Sequence, residues 1–257
     1  MISSQHDDVT ARFARDTASH TMTVLHEEGL YRHLRFEGTA DSPFSQYPFE
    51  LITWPYNLVV KAGWTFHFDI DATEDMFDLF RRTALTGQIN PGYWQEKVRA
   101  GRDEIEGFNP DLLKWEIAST IAQWMRDDLA ERVWVQAKEW GLNPEELDAT
   151  TGLRRQLSLE VRPQWRAANR ELREAVHEHF FSDMADYNIE FESEAHRALH
   201  EFSYRSEGYD GPYPYHFADW HEWRLKDYTP GFLHCCHAIR RGIDLYDAAR
   251  KQAEVAA

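Results

Sequence analysis

Cysteine is nearly absent from this 257-residue chain: Cys235 and Cys236 are the only two, and they are neighbours. Adjacent cysteines close only a strained disulfide, so no disulfide framework can hold the fold. Long hydrophobic runs are missing too; none approaches the roughly 20 residues of a membrane-spanning helix. The opening Met1-Ile-Ser-Ser-Gln-His-Asp-Asp8 has neither the basic region nor the apolar run of a secretory signal. Basic residues are outnumbered, 28 against 44 acidic, for a net charge of −16. That balance argues against broad binding to a phosphate backbone, which needs clustered cations. No G-x-S-x-G, phosphate-binding loop or dinucleotide motif occurs. The expectation is a reduced, cytoplasmic, soluble protein, long enough to bury a proper core.

Aromatic residues are plentiful: ten Trp, eleven Tyr and fifteen Phe. They concentrate the order of the chain around residues 31–70, where hydrophobicity alternates with period 2, the mark of half-buried strands. Four arms are legible: Tyr31–Phe36, Phe49–Trp54, Leu58–Lys61 and Trp64–Ile70. Trp54-Pro55 and Ala62-Gly63 break them, because Pro cannot continue a ladder and Gly accepts turn geometry. Residues 41–48 interrupt the arms as a loop rich in turn formers.

Elsewhere the pattern is helical. Val9, Phe13, Met22 and Leu25 share a stripe that predicts a helix from Asp8 to about Glu28, stopped by Gly29. Asp71-Ala-Thr-Glu74 reads as a capped helix start, with Met76, Phe77 and Phe80 buried and Arg81-Arg82 at the negative end. Residues 88–94 turn into a short helix. Asn109-Pro110 then opens a helix of about 45 Å, closed by Gly141. Its stripe runs through Leu113, Ile117, Ile121, Trp124, Met125, Leu129, Val133, Ala137 and Trp140. Asn143-Pro144 repeats the same start. Leu157, Leu159 and Val161 alternate and fit a last strand or a short helix. Trp165, Ala168, Leu172, Val176 and Phe180 mark a helix, and Ser193 caps another through Phe202. An aromatic loop spans Tyr204 to Tyr215, and Thr229-Pro230 opens the final helix, with Phe232, Cys236, Ile239, Ile243 and Tyr246 on its core face.

The fold class these elements predict is α+β: a small amino-terminal antiparallel sheet packed by a long helix and a mainly helical carboxy-terminal half. One domain of 257 residues is expected, with its sheet-bearing part over about 1–105 and its helical part over about 106–257. Acidity is uneven. Residues 103–148 hold 12 acidic and 4 basic residues, and residues 174–210 hold 10 and 2, so these two stretches carry the whole net charge.

Chemistry-bearing residues fall into a few groups. His234-Cys-Cys-His237 reads as a metal site only as text. At 100° per residue the thiols flank the apolar face of the final helix and the imidazoles point away, so the four cannot converge on one ion. Buried thiols of raised pKa and surface-like imidazoles are expected. His196 and His200 share a helical face but lack a third ligand and the adjacent Glu of a zinc-protease motif. On the sheet, with Leu34, Phe36, Leu51, Phe66 and Phe68 facing the core, the alternate residues Tyr31, His33, Arg35, Glu50, Trp54, His67 and Asp69 share the other faces. They predict an amphoteric, ring-bearing contact surface, or a solvated face of cross-strand ion pairs.

Two resemblances add to this. The run Phe66-His-Phe-Asp-Ile-Asp-Ala-Thr73 contains D-x-D-x-T and resembles the first motif of haloacid-dehalogenase-like phosphohydrolases. That resemblance implies Asp69 as nucleophile and Asp71 as acid/base beside Mg²⁺, at the end of a central parallel strand. Residues 24–36, Leu51-Ile-Thr-Trp-Pro55, Asp75-Met-Phe77 with Phe80-Arg81, Ile89-Asn-Pro-Gly-Tyr-Trp94 and His234-Cys-Cys-His-Ala-Ile239 resemble an uncharacterised protein family of actinobacterial phages and prophages. That family implies a phage accessory role and supplies no catalytic residues. The function expected is therefore a non-enzymatic protein in the host-cell cytoplasm that binds a host or defence protein, with its acidic helices as a contact surface. The alternative is a metal-dependent phosphohydrolase or a nucleotide-binding protein. No cofactor, no resident metal, no direct nucleic-acid backbone binding and no membrane contact are expected; self-association stays open.

Overall fold

The computed structural model describes residues 4–39, 47–84, 88–143, 152–205 and 214–256. The loop expected over 41–48 mostly falls outside them, as do the helix expected after Asn143 and the middle of the aromatic loop. Two compact units emerge, Met1–Gly107 with Asp227–Ala257, and Phe108–Lys226. The fold is α+β, with an amino-terminal antiparallel sheet and a helical carboxy-terminal half.

In the first unit, helix α1 (Ser4–Asp16) precedes strands β1 (Thr21–Glu28), β2 (Tyr31–Glu37), β3 (Phe49–Trp54), β4 (Asn57–Lys61) and β5 (Thr65–Asp69). Helices α2 (Met76–Thr83) and α3 (Pro91–Trp94) lead to β6 (Val98–Ala100), and β1 to β6 form one meander in chain order, every pair antiparallel. Residues 21–28 thus form an edge strand and do not continue the first helix. Thr21, Thr23 and Val24 are β-branched and favour the pleat. Most of the strand's side chains are exposed, so no alternation marks it. Gly29, at φ 61°, makes the turn into β2.

One face of the sheet is closed. Leu34, Phe36, Leu51, Leu58, Val60, Phe66, Phe68 and Val98 have no exposed surface. They pack against α7 (Pro230–Ala256) through Phe232, Cys235, Cys236, Ile239, Ile243 and Tyr246, and against Met76, Phe77 and Phe80 of α2. The apolar faces expected for α2 and α7 are the ones buried. Helix α2 starts later than expected. Its cap is Asp75, which accepts the Phe77 N–H at 2.9 Å, while Asp71 lies exposed in the preceding turn.

Within the helical carboxy-terminal half, α7 belongs to the first unit and packs on the sheet. Its closest approach is at Gly242, where an added Cβ would sit 2.5 Å from Leu51 Cδ1 and 3.1 Å from the Phe36 ring. Both neighbours are fully buried and have no space to yield. Gly242→Val should therefore cost about 2 kcal/mol in urea unfolding, overpacking outweighing the small gain in helix propensity.

Strands β7 (Glu106–Phe108) and β8 (Lys226–Tyr228) pair where the chain leaves the first unit and returns to it. The second unit is built on α4 (Pro110–Glu139) and α5 (Gly152–Phe180). Asn109 caps α4 with Pro110 at its first position, and Gly141 follows its end at φ 70°. Leu113, Ile117 and Ile121 cluster with Leu172, Val176 and Phe180, while Val133 and Ala137 cluster with Leu157 and Val161. The two helices are therefore antiparallel. The alternating stretch 157–161 is helix: Leu157 and Val161 are buried one turn apart, and Leu159 is 53% exposed. Helix α6 (Glu192–Glu201) begins one residue before Ser193, and Phe191 at its cap position offers no side-chain bond.

Candidate functional site

Among the described residues no buried apolar cluster forms on the second face of the sheet. Three cross-strand rows build it from one end to the other. Arg35, Glu50, Lys61 and Thr65 stand opposite one another in turn; His26, His33, Ile52, Val59 and His67 form the middle row; Trp54, Asn57 and Asp69 form the last. The alternation read from the sequence thus places Tyr31, His33, Arg35, Glu50, Trp54 and His67 away from the core. These side chains remain partly or largely exposed, Tyr31 at 54%.

Contacts within the rows order the face. His33 Nε2 lies 2.9 Å from Glu50 Oε2, and Arg35 bonds Glu37 at 2.9 Å with Glu50 at 3.9 Å. The His33 hydrogen bond holds the Glu50 carboxyl below its usual range against the opposing effect of burial, and Lys61 and Arg35 add to it. Trp54 stacks on His67 with ring centroids 5.5 Å apart. Asn57 donates its amide to the Pro55 carbonyl, which leaves its oxygen to accept the His67 Nε2–H at 2.7 Å. Imidazole and indole are therefore fixed in place. Between Tyr31, His33, Ile52 and Trp54 the surface dips into a shallow cavity of about 360 Å³. Tyr56, in the β3–β4 turn, sits at φ 68°, a region disfavoured for its side chain. Its N–H donates to the Glu74 carbonyl and its own carbonyl accepts from Ile70.

The carboxylates of the D-x-D-x-T run are separated in role. Asp69 faces the open side and pairs with Arg99 at 3.4 Å; Asp71 is exposed in the turn beyond. Strand β5 is antiparallel to both neighbours, whereas the phosphohydrolase motif ends a parallel strand. Among the described residues no group of three or more His, Cys, Asp or Glu side chains is arranged to hold a metal ion. The His196 ring lies tilted against Trp220, centroids 4.9 Å apart, and His200 is exposed.

On α7 the thiols behave as the helical phase predicts. Cys235 and Cys236 have no exposed surface, and burial pushes the Cys235 thiol up to about 12. The histidines do not. Helix α1 covers them: the Phe13 ring lies 4.9 Å from His234 and 5.5 Å from His237. Burial then lowers both imidazoles, His237 to about 4. A helical wheel of α7 alone carries no information about α1, so the imidazoles expected at the surface are instead covered.

Two charged features escaped the sequence reading. Arg32 occupies a core-side position of β2, 7% exposed, and its guanidinium forks onto Asp75 with two bonds of 2.9 Å. On α5, Arg162, Arg166, Arg170 and Arg173 are exposed, each one residue beyond a seam position, and form no ion pair among the described residues. Counting charge by segment hid this basic flank inside an acidic chain. Among the described residues no helix is long and apolar enough to cross a membrane. Compared with known proteins, the chain matches no family model, no curated protein and no solved structure.

Proposed function

We propose that the chain is a non-enzymatic binding protein whose contact surface is the open face of the sheet. The observation that carries this is the ordered face on which His33 pairs with Glu50 and Trp54 stacks on His67, beside exposed Tyr31, rings and both charge signs on a rigid ladder outside the core. Such a face supplies aromatic anchors with a polar surround, the composition that dominates protein contacts. The resemblance to phage accessory proteins makes a host or defence protein of the infected cell the partner. The acidic stretches 103–148 and 174–210 would speed association with a basic partner and make it salt-sensitive.

The test is capture from host-cell lysate on immobilised protein, at low and at high salt. A specific protein should be retained at low salt and less at high salt. Trp54→Ala with Tyr31→Ala should weaken retention by about 2 kcal/mol or more, with an unchanged melting temperature. If no protein is retained at either salt, or the double variant retains the same one equally well, the reading fails.

A further inference from the structure

At the Lys61 end of the sheet lies a second and larger cavity, of about 690 Å³. It is walled by α1, the ends of β2 to β4, the β4–β5 turn and the start of α7, all within the first unit. That volume is in the range that encloses small organic ligands.

The lining has a distinct chemistry. Arg12, Arg35 and Lys61 face Asp16 and Glu50, a net positive balance in a chain of net charge −16. Arg12 and Arg35 already pair with Asp8 and Glu37, and Asp16 with Arg15. The Lys61 ammonium forms no ion pair among the described residues, although its charge reaches Glu50. It is the cation left to meet an anion from outside.

The aromatic part is equally specific. Tyr47 and Trp64 line the same cavity and keep 49% and 44% of their surface exposed. The Trp64 indole is held on one side by the backbone at Gly231, where an added Cβ would lie 2.6 Å from two ring carbons. His234 sits 5.9 Å away, ring to ring. A large ring so supported, partly exposed and lining a cavity, is a stacking platform that needs no further ordering. Burial keeps the His234 imidazole neutral at pH 7, so it adds hydrogen-bonding capacity to the wall without charge.

We infer that this cavity binds a small anion bearing a planar ring, of the size and charge of a nucleoside monophosphate. The ring stacks on Trp64 or Tyr47 and the anionic group meets Lys61. The same chemistry is met by an aromatic carboxylate, so the experiment distinguishes the two. The cavity shares Arg35, Glu50 and Lys61 with the first row of the open face, and calorimetry with small ligands reads it apart from protein capture on that face.

The full chain is titrated by calorimetry with AMP, GMP, CMP, indole-3-acetate and inorganic phosphate. Saturable binding of at least one ring-bearing anion is expected. Inorganic phosphate should bind about tenfold more weakly or not at all, since it forgoes stacking. Lys61→Glu, at an exposed strand end, and Trp64→Ala should each weaken the ring-bearing ligand about tenfold or more. Lys61→Glu carries the test if Trp64→Ala lowers the melting temperature. Binding of nucleotides alone, or of indole-3-acetate alone, upholds the inference and names the source. Absence of saturable binding by every ring-bearing probe overturns it, as does binding that neither substitution alters, or phosphate binding as tightly as AMP.

Discussion

Asp75→Ala should lower the unfolding free energy by about 4 kcal/mol, a large part of the ~5–15 kcal/mol that holds a typical domain. Two losses combine. The Arg32 guanidinium, 7% exposed, sits 4.8 Å from the Phe77 ring centroid and 5.4 Å from that of Tyr246, and its charge is matched there by Asp75. Removing the carboxylate leaves a buried cation without its partner, which costs roughly 3–5 kcal/mol. The same carboxylate caps α2, and a lost cap costs about 1 kcal/mol; the two terms share one group and are not fully additive. Arg32→Met with Asp75→Asn should recover most of the stability, because it removes both charges and keeps a capping oxygen. Urea unfolding of the parent chain and the two variants checks the order. An unchanged midpoint for Asp75→Ala would show that the pair is not buried.

The pair also has a pH signature. Burial pushes the Asp75 carboxyl up, but the Arg32 bonds and charge, with the Phe77 N–H, bring it below its ordinary value. A folded pKa below the unfolded one means that the contribution is present above about pH 4 and is lost as pH falls through the folded value.

Period-2 alternation exposed four of the sheet's arms because those strands have one dry face and one open face. Once Leu34, Phe36, Leu51, Phe66 and Phe68 are placed inward, the outward set follows, but which of its members stand opposite one another needs the strand register. β1 was illegible because nearly all its side chains are exposed, so nothing alternates; at 100° per residue Met22 and Leu25 fall opposite Val9 and Phe13, so the stripe expected to run on through them has no helical phase. Leu157, Leu159 and Val161 left strand and helix open, since an i, i+4 pair with an apolar residue between also looks like a strand. Pro163 then lies inside α5, where a Pro is read as a break. The α7 thiols were legible from helical phase alone. What covers the neighbouring imidazoles was not, because α1 reaches them across more than 200 residues of chain. Arg32 reads as a surface residue in sequence; only its fork to Asp75 makes its inward position tenable.

Acidification from pH 7 to 4.5 should cost about 2.5 kcal/mol through His237 alone, most of it above pH 5 where carboxylates are still largely ionised. Thr10 donates its hydroxyl to the His6 carbonyl at 2.8 Å, so its oxygen accepts the His237 Nε2–H at 3.1 Å, the tautomer of a neutral ring. Burial under α1 is the main cause of the lowered pKa, with His234 and His6 nearby opposing a second positive charge. His234 shifts the same way, by burial first and by His20, with Asp16 pulling against them. The unfolded chain takes up its proton near pH 6.5 and the folded chain near pH 4, so between those values the unfolded state binds more protons. Stability is then full above about pH 6.5 and falls as pH drops through the window. His237→Gln removes the titrating ring and should flatten most of this slope while keeping a donor for Thr10. Urea unfolding at several pH values between 7 and 4.5 measures the slope, and the imidazole resonances of the folded protein report the pKa directly. A native His237 titrating near 6.5, or a flat profile down to pH 5, would show that α1 does not seal this face of α7.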